Sequence, residues 1–398
     1  MSRCLQLAKL GAGYVAPNPM VGAVLVYEDR IIGEGWHQQY GEAHAEVNCI
    51  ASVMAGDKNL ISQSSLYVSL EPCAHFGKTP PCADLIIKHK IPKVIIGCRD
   101  PFKDVDGKGI EKLKAAGVEV ELADRLLAYE CKEINKRFFT FHTQQRPYVI
   151  LKWAQSADGK IASLNPSAGG TLDSDSFNKH FIYPNGKSDK TTTLLSDSQN
   201  HSSEGWGASR LLISNEYSNR LVHQWRSEEA AILVGTNTAL SDNPELTTRL
   251  WIGPSPIRLV IDMNMKLPKT LKLFNDQHST IVFNTQVHDV DENMNAELLR
   301  RKPAVWYYKI KQSAYPLKQI MNALYKLKIQ SVMVEGGAKL LQSFIDDGLW
   351  DKVRIINNKQ LIITNGLNAP VLENAILTES EELFSDIIET YMPAGPDY

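Results

Sequence analysis

Short apolar runs of strand length alternate with amphipathic stretches of helical length over the first third of the chain. Runs rich in β-branched residues predict strands at residues 21–27, 65–70, 93–98 and 118–122. Apolar positions at helical spacing predict helices at residues 1–10, 42–54, 83–89, 109–116 and 123–137. This alternation predicts a mostly parallel sheet with helices on both faces.

A polar, proline-containing segment at residues 143–147 interrupts this pattern and predicts a domain linker. We therefore expect domains at residues 1–143 and 147–398. The second domain shows the same α/β alternation, with strands predicted at residues 148–153, 231–234, 258–261, 280–283 and 331–334 and helices at residues 216–227, 317–327 and 338–347. Residues from about 163 to 207 are rich in Ser, Asn, Asp, Thr and Gly, which predicts a surface insertion outside the core.

Composition narrows the class of protein. A chain of 398 residues with 43% hydrophobic and 22% charged residues is typical of folded globular domains. The net charge of -2 provides no general attraction to nucleic acid or to an anionic membrane. The N-terminus is amphipathic and unlike a signal peptide, and no apolar run has the length of a membrane span. We expect a cytoplasmic protein that acts on a small molecule, binds neither nucleic acid nor membrane, and is able to form a homo-oligomer.

The strongest chemical signal is a set of metal-ligand residues at the ends of predicted elements. His44-Ala45-Glu46 opens a helix, Glu71-Pro72-Cys73 follows a strand, and Cys82 begins the next helix. One imidazole and two thiolates supply three ligands of a tetrahedral zinc and leave the fourth position for water, as in catalytic sites. Glu46 is then placed to move a proton between that water and the substrate. This combination of His-x-Glu with Pro-Cys is the signature of zinc deaminases of nucleobases.

The structural alternative is that these residues are a core histidine and buried thiols, and their joint order along the chain argues against it. The remaining cysteines lack such context and are interpreted as packing residues: Cys4, Cys49, Cys98 and Cys131.

The spacing between the two cysteine ligands departs from the signature, because Cys82 comes nine positions after Cys73 instead of three. The inserted block carries His75 and Lys78 beside the metal, where they would suit a polar or phosphorylated substrate. Lys78 could equally be a solvated surface charge. Asn18 precedes a strand and could either read the edge of a base or only shape the turn.

The second domain carries a weaker signal of its own. It has no Gly-x-Gly-x-x-Gly after a strand, so the standard Rossmann fingerprint is absent. Glu335-Gly336-Gly337 joins a strand to a helix, which would let backbone N–H groups approach a phosphate. By itself this pair of glycines could also be a simple turn.

These motifs resemble the RibD family, the bifunctional deaminase/reductases of riboflavin biosynthesis. In the first domain the resemblance rests on the blocks at residues 17–22, 35–37, 41–46 and 70–82. In the second domain it rests on the blocks at residues 152–162, 225–227, 231–238, 242–249 and 335–337. The resemblance implies an α/β protein with an N-terminal cytidine-deaminase-like three-layer domain and a C-terminal dihydrofolate-reductase-like domain.

The resemblance also implies roles for individual residues. In the deaminase, it implies that His44, Cys73 and Cys82 bind zinc, that Glu46 shuttles the proton, and that the substrate contacts are Asn18, His37, His75 and Lys78. In the reductase, the implied NADPH contacts are Ala154, Thr238, Asp242, Gly337, Ala338, Lys339, Leu340, Leu341, Gln342 and Ser343. The implied contacts with the reductase substrate are Arg226, Leu246, Arg249 and Glu335, and the two arginines suit a phosphate. The implied substrate is a 2,5-diamino-6-ribosylaminopyrimidinone 5'-phosphate, deaminated at C2 and then reduced in its ribosyl group.

The second domain departs from the family in two places, the polar insertion and the segment that follows it, and two alternative functions remain. The family's Ser-x-Trp-Ile segment reads Arg210-Leu211-Leu212-Ile213 here, so the residue expected to stack on the ring is missing. A nucleotide or tRNA deaminase with a C-terminal binding domain would need a basic stripe, against which the near-neutral charge speaks. A structural zinc in a scaffold protein would need a fourth ligand, for which His75 is the nearest candidate.

Overall fold

The computed structural model describes residues 1–76, 80–103, 105–164 and 212–395, and the predicted insertion at about 163–207 lies almost entirely outside them. Within these ranges the first domain contains strands β1 (Gly22–Tyr27), β2 (Arg30–Trp36), β3 (Ser65–Val68), β4 (Lys93–Ile96) and β5 (Glu119–Leu122). Its helices are α1 (Ser2–Lys9), α2 (Ala45–Ala51), α3 (Cys82–Lys88), α4 (Lys108–Ala115), α5 (Arg125–Ile134) and α6 (Lys136–Gln144).

The first sheet, in the order β2-β1-β3-β4-β5, is only half parallel. Strands β3, β4 and β5 run parallel, whereas β1 pairs antiparallel with both β2 and β3. The expectation of a mostly parallel sheet was therefore wrong for this domain. The reason is a tight hairpin between β1 and β2, in which Glu28 and Asp29 both take positive φ values. This turn lacks the usual Asn-Gly or Asp-Gly signal, so strand β2 was missed.

Helices cover both faces of this sheet, as a three-layer domain requires. The alternation along β1 divides its side chains between the faces, because Ala23 and Leu25 pack in one apolar cluster and Val24 packs in another with Cys4 and Leu7 of α1. The cluster on the Ala23 face includes apolar residues from α2 and α3. Burial on both faces explains why the strands read as continuous apolar runs.

The second domain, within the described residues, is built around a nine-stranded sheet. The strands of this domain, nine of which form the sheet, are β6 (Tyr148–Gln155), β7 (Lys160–Ser163), β8 (Ala231–Gly235), β9 (Ile257–Ile261), β10 (Thr280–Asn284), β11 (Val305–Lys309), β12 (Ser331–Val334), β13 (Lys352–Asn358), β14 (Gly366–Asn368), β15 (Ala375–Leu383) and β16 (Asp386–Pro393). Its helices are α7 (Glu216–Glu228), α8 (Thr236–Asp242), α9 (Ala296–Arg301), α10 (Pro316–Lys326) and α11 (Ala338–Asp346).

The large sheet has the order β11-β10-β9-β8-β12-β6-β13-β16-β15, and strands β7 and β14 form a small separate pair. Pairings are parallel from β11 to β13, and β16 then pairs antiparallel with both β13 and β15. The central strands have apolar clusters on both faces: Val149 and Leu151 of β6 point to one, and Tyr148 and Ile150 to the other. The predicted strands of the central sheet are confirmed, but β11 and the C-terminal strands were missed.

The two domains are joined by a short and anchored connection. Helix α6 extends to Gln144, so only Gln145, Arg146 and Pro147 precede β6. The predicted polar linker is therefore partly helical, and Arg146 donates two hydrogen bonds, at 2.6 and 2.7 Å, to the Asp351 carboxylate. A second ion pair crosses between the domains, because Arg137 of α6 makes a bidentate contact with the fully buried carboxylate of Glu229. Burial alone would raise the pKa of Glu229, but Arg137 outweighs burial and holds that pKa below its ordinary value.

Replacing Arg137 by Ala should destabilise the protein by about 3 kcal/mol, because it leaves the buried Glu229 carboxylate without its partner. Calorimetric or denaturant unfolding of the whole chain would measure the loss. The matched control is Arg30→Ala, which breaks a bidentate contact with Asp57 in which the arginine side chain is 54% exposed. Its effect should be far smaller. Equal losses in the two variants would show that the Arg137–Glu229 contact does not hold the domains together.

Candidate active sites

Three predicted zinc ligands converge at the ends of α2, β3 and α3. His44 is the residue before the first turn of α2, Cys73 lies five residues after β3, and Cys82 is the first residue of α3. The Nδ1 atom of His44 lies 3.6 Å from the Cys73 sulfur and 3.3 Å from the Cys82 sulfur. These separations are near the roughly 3.5 Å expected between nitrogen and sulfur ligands of one tetrahedral zinc. The donor set and its spacing therefore fit zinc.

The two cysteines of the cluster are coupled to each other and to His44. The hydrogen bond with Cys82, followed by that with His44, outweighs burial and holds the pKa of the Cys73 thiol well below its ordinary value. The same hydrogen bond, together with burial, raises the pKa of Cys82, so Cys73 is the more acidic of the two thiols. The backbone N–H of Cys82 also donates to the Cys73 sulfur at 3.3 Å. Burial raises the pKa of the four thiols outside the cluster, which agrees with their interpretation as packing residues: Cys4, Cys49, Cys98 and Cys131.

In the described part of the chain, the His/Cys/Cys cluster has three members and His75 is not one of them. A structural zinc would need a fourth protein ligand. The geometry therefore favours an open, catalytic site over a structural staple.

Glu46 lies in the first turn of α2, buried beside the cluster, and burial raises the pKa of its carboxyl. Helix α2 is held close to strand β2, because a Cβ atom at Gly35 would lie only 2.2 Å from the backbone nitrogen of Cys49. Glycine at this position lets the helix backbone pack directly on the strand. This packing fixes His44 and Glu46 relative to the sheet.

The carboxylate of Glu71, two residues before Cys73, anchors the opposite wall. It accepts backbone hydrogen bonds from Asp100, Gly107, Gly109 and Ile110 at 3.0 to 3.3 Å. A Cβ atom at Gly109 would lie 2.0 Å from the Pro72 carbonyl oxygen, so only glycine allows this approach. Glu71 thus ties the loop after β4 to the segment that carries Cys73.

The cluster opens into a cavity of about 620 Å³. His37, Asn18, Glu46 and His75 line it together with the ligands His44 and Cys73. Lys78 lies outside the described residues. The structure therefore brings the other predicted deaminase residues to one cavity, whose volume suits a small-molecule ligand.

Asn18 and His37 form a buried hydrogen-bonded pair at the cavity wall. His37 Nδ1 lies 3.0 Å from the carbonyl oxygen of Ala43, which can only accept, so Nδ1 carries the proton. His37 Nε2 therefore accepts from Asn18 Nδ2 at 3.1 Å. Burial lowers the pKa of His37, which favours this neutral form. Both ring nitrogens are engaged within the protein, so His37 orients Asn18 and leaves the amide oxygen of Asn18 for a ligand.

His75 also has a free polar atom in the cavity. Its Nδ1 is buried and has no hydrogen-bond partner, and its ring packs edge-on against Phe102 with centroids 6.0 Å apart. Buried polar atoms are normally paired. A bound ligand would provide that partner.

Several cavity residues were missed from the sequence. Asp100 follows β4, which is parallel to β3, so its position at the same sheet edge as Cys73 was a usable signal. Burial raises the pKa of Asp100 to about 7. Phe102 and His142 were not predictable, because aromatic residues in loops and helix ends give no distinctive pattern. The same holds for the part of the wall contributed by residues 325–330 of the second domain.

The predicted NADPH residues gather at the carboxyl ends of neighbouring parallel strands. Ala154 lies near the end of β6, the Gly336-Gly337 turn follows β12, and Thr238 lies in α8 after β8. A Cβ atom at Gly337 would lie 3.2 Å from the Thr238 hydroxyl, so these two segments are in contact. Such an edge, with backbone N–H groups at the start of α11, suits a dinucleotide phosphate.

Within the predicted run of NADPH contacts at residues 337–343, Leu341 is fully buried in the core, so its side chain is not available to a cofactor in this structure. Gln342 and Ser343 make hydrogen bonds at the side of α11. The contacts of the other residues of this run stay predictions, and residues 337–340 lie at the first turn of the helix. Asp242 ends α8 and accepts a hydrogen bond from Ser241 at 3.0 Å.

The predicted substrate residues of the reductase divide into two groups. Arg226 makes a buried bidentate contact with Glu335, at 2.6 and 2.9 Å, and also donates to the Thr247 carbonyl oxygen. Burial alone would raise the pKa of Glu335, but Arg226 outweighs it and lowers that pKa to about 2. The charge of Arg226 is paired within the protein, and its contact with the substrate stays a prediction. The Arg249 side chain is 55% exposed and lies 3.5 Å from the Glu245 carboxylate. Leu246 is buried and takes a positive φ, and its contact with the substrate stays a prediction.

The fold and the metal-ligand cluster define the class of a zinc-dependent deaminase joined to an NADPH-dependent reductase domain. The sequence model of the cytidine and deoxycytidylate deaminase zinc-binding region matches residues 1–98, and that of the RibD C-terminal domain matches residues 190–358. The riboflavin biosynthesis protein RibD of Aquifex aeolicus is 37% identical over 354 residues, which cover 89% of this chain and 84% of the relative. The chain belongs to the RibD family.

Other relatives agree over nearly the whole chain. RibD of Actinobacillus pleuropneumoniae is 31% identical and covers 100% of this chain, with 95% of its own length matched. The crystal structure of a diaminohydroxyphosphoribosylaminopyrimidine deaminase/5-amino-6-(5-phosphoribosylamino)uracil reductase from Thermotoga maritima is similar with a TM-score of 0.77 at 32% identity, covering 99% of this chain and 97% of that one. The protein is accordingly a deaminase and reductase of riboflavin biosynthesis with a small-molecule substrate. No helix in the described residues has the length and apolar character to cross a membrane.

Replacing Cys73 by Ser should reduce bound zinc from about one per chain to near zero, because zinc prefers thiolate to an uncharged hydroxyl. Elemental analysis of the purified protein would measure the change. The matched control is Cys131→Ala, at a buried thiol of the same domain outside the cluster, which should keep its zinc. Undiminished zinc in the Cys73 variant would contradict the ligand assignment.

Proposed function

We propose that the first domain deaminates 2,5-diamino-6-(5-phosphoribosylamino)pyrimidin-4(3H)-one at C2, and that the second domain then reduces the ribosyl group to ribityl with NADPH. The observation that carries this proposal is the open His44/Cys73/Cys82 cluster with buried Glu46 beside it. The name of the similar Thermotoga enzyme supports the choice of substrate. The cytoplasmic location, the absence of nucleic-acid binding and any homo-oligomer stay predictions.

Glu46 is the residue that moves protons in the first reaction. Zinc held by His44, Cys73 and Cys82 would supply a water activated for attack at neutral pH. Glu46 would take one proton from this water as the C2–O bond forms and pass it to the ring nitrogen. It would then pass the second proton of the water to the amino group, so that the C2–N bond breaks and ammonia leaves.

Asn18 and His75 hold the pyrimidine for this attack. The Asn18 amide oxygen is oriented by His37 and accepts a hydrogen bond from an N–H of the ring or its amino group. His75 Nδ1, which lacks a partner in the protein, makes a further polar contact. The predicted role of His37 as a direct contact becomes one of positioning Asn18.

In the second reaction, the turn at residues 336–337 and Thr238 hold NADPH. NADPH supplies the hydride, which the protein directs by placing the cofactor against the substrate. Arg249 binds the substrate phosphate. The Arg226–Glu335 pair shapes the pocket between Arg249 and the bound NADPH. Both sites then handle the phosphorylated substrate, one in each domain.

Glu46→Gln should lower the deamination rate by about 10²- to 10⁴-fold, because the amide is nearly the same size but cannot take a proton. Ammonia release from the diaminopyrimidine substrate would measure this step. The variant should still bind zinc and should oxidise NADPH normally when it is given the already deaminated intermediate. Full ammonia release by the variant would disprove the assigned role.

Arg249→Ala should raise the KM for the deaminated phosphoribosyl intermediate by roughly tenfold, through loss of a charged contact with its phosphate. NADPH oxidation at 340 nm would give this value, while the KM for NADPH and the rate of ammonia release should not change. Arg301→Ala is the control, since Arg301 is an exposed arginine on α9. A rise in the KM for NADPH alone would assign Arg249 to the cofactor instead.

A further inference from the structure

One wall of the deaminase cavity comes from the second domain. The last turn of α10 and the segment that leads from it to β12 contribute Tyr325, Lys326, Lys328 and Gln330 to the lining. The Gln330 side-chain amide donates to the Pro17 carbonyl oxygen at 2.6 Å, so this segment touches the loop that carries Asn18. The segment is therefore in direct contact with the first domain at the cavity.

Aromatic packing fixes the same segment from a second side. The Tyr325 ring lies against the Phe141 ring of α6, with centroids 4.7 Å apart. Phe141 in turn packs edge-on against His142, which lines the cavity with Phe138. Lys326 and Lys328 lie between Tyr325 and Gln330 in the sequence. The contacts of Tyr325 and Gln330 thus hold this part of the backbone at the edge of the cavity.

The charges that line the cavity are unevenly distributed. Among the described lining residues, Lys326 and Lys328 are the only lysines or arginines, and both are exposed. Carboxyl-bearing residues, including Glu42 and Asp100, occupy the first-domain side. His142 adds no positive charge at neutral pH, because burial lowers its pKa to about 4. A phosphate entering this cavity would find lysine cations on the second-domain side.

Lys328 has a left-handed backbone conformation where the chain leaves α10. Helix α10 ends at Lys326, and Lys328 takes a left-handed φ of 56° as the chain turns back. Glycine is the usual residue at this position after a helix, because other residues are strained there. A lysine in its place sacrifices local stability while putting a cation at the cavity.

We propose that Lys326 and Lys328 form the phosphate-binding end of the deaminase site, so that the second domain completes the substrate site of the first. This inference rests on the proposed function, which supplies a phosphorylated substrate. A cavity of about 620 Å³ has room for a pyrimidine with a sugar phosphate attached. The ring lies at the zinc cluster, and the phosphate reaches the lysines.

The test compares deamination of the phosphorylated substrate with that of the same compound without its phosphate. For Lys326→Gln and Lys328→Gly, the ratio of the two kcat/KM values should fall by about tenfold each, chiefly through the KM of the phosphorylated substrate. Raising the salt concentration should weaken wild-type binding of the phosphorylated substrate more than that of the double variant.

Lys328→Gly also separates a binding role from a structural one. Glycine removes the strain of the positive φ, so the melting temperature of this variant should be unchanged or higher. A lower affinity for the phosphorylated substrate in a protein of equal or greater stability is not expected from damage to the fold. The control is Lys318→Ala on helix α10. The ammonium group of Lys318 lies over the Tyr315 ring. This variant should keep the wild-type ratio.

Two results would overturn the inference: an unchanged ratio in both lysine variants, or an equal loss on the phosphorylated and unphosphorylated compounds. Failure of the proposed function has a different signature. A wild-type enzyme that binds zinc but releases ammonia from neither compound would contradict the deaminase substrate itself, and with it this inference.

Discussion

The deaminase site depends on the hydrogen bonds that the buried carboxylate of Glu71 accepts. Four backbone N–H groups from the loop after β4 and the start of α4 point at its two oxygens. Burying a carboxylate without hydrogen-bond partners would be very costly. The loop that supplies these N–H groups is therefore fixed in position relative to Glu71. Because Cys73 is two residues further along the same segment, the contact sets the distance between the zinc cluster and the wall that carries Asp100. The glycine at position 109 is needed for the same reason, since any side chain would collide with Pro72.

The contact between the domains extends this dependence to the second half of the chain. The Arg137–Glu229 pair and the hydrogen bond from Gln330 to Pro17 hold the start of β12 against the deaminase cavity. Buried ion pairs add little net stability compared with apolar packing, but they specify one arrangement, because any other leaves a buried charge unpaired. In this protein the arrangement matters for chemistry, since it decides which second-domain residues line the first-domain site.

The sequence predicted the metal-binding and proton-transfer residues of the deaminase site better than the other residues that line its cavity. His44, Glu46, Cys73 and Cys82 could be found because each stands at the end of an element, in an order that few folds produce. The strands of the central sheets were also predictable from their apolar runs. Strand β2 was missed because its hairpin turn uses Glu28 and Asp29 in place of glycine, and the C-terminal strands because half-exposed edges carry weak patterns. The ion pair between Arg226 and Glu335 brings together segments about a hundred residues apart, and the position of Lys326 at the cavity brings together segments even further apart. No local sequence pattern predicts such contacts.

The position of β12 explains how one chain separates two reactions. Its first end, at Gln330 and Ser331, adjoins the deaminase cavity, whereas its far end leads into Glu335 and the glycine turn of the reductase site. The four residues of this strand span only about 13 Å, but they are fully packed between β6 and β8. Side chains on both faces of this strand are buried in the apolar clusters of the second domain. The two sites therefore border opposite ends of one structural element, and a change in the position of that element would alter both.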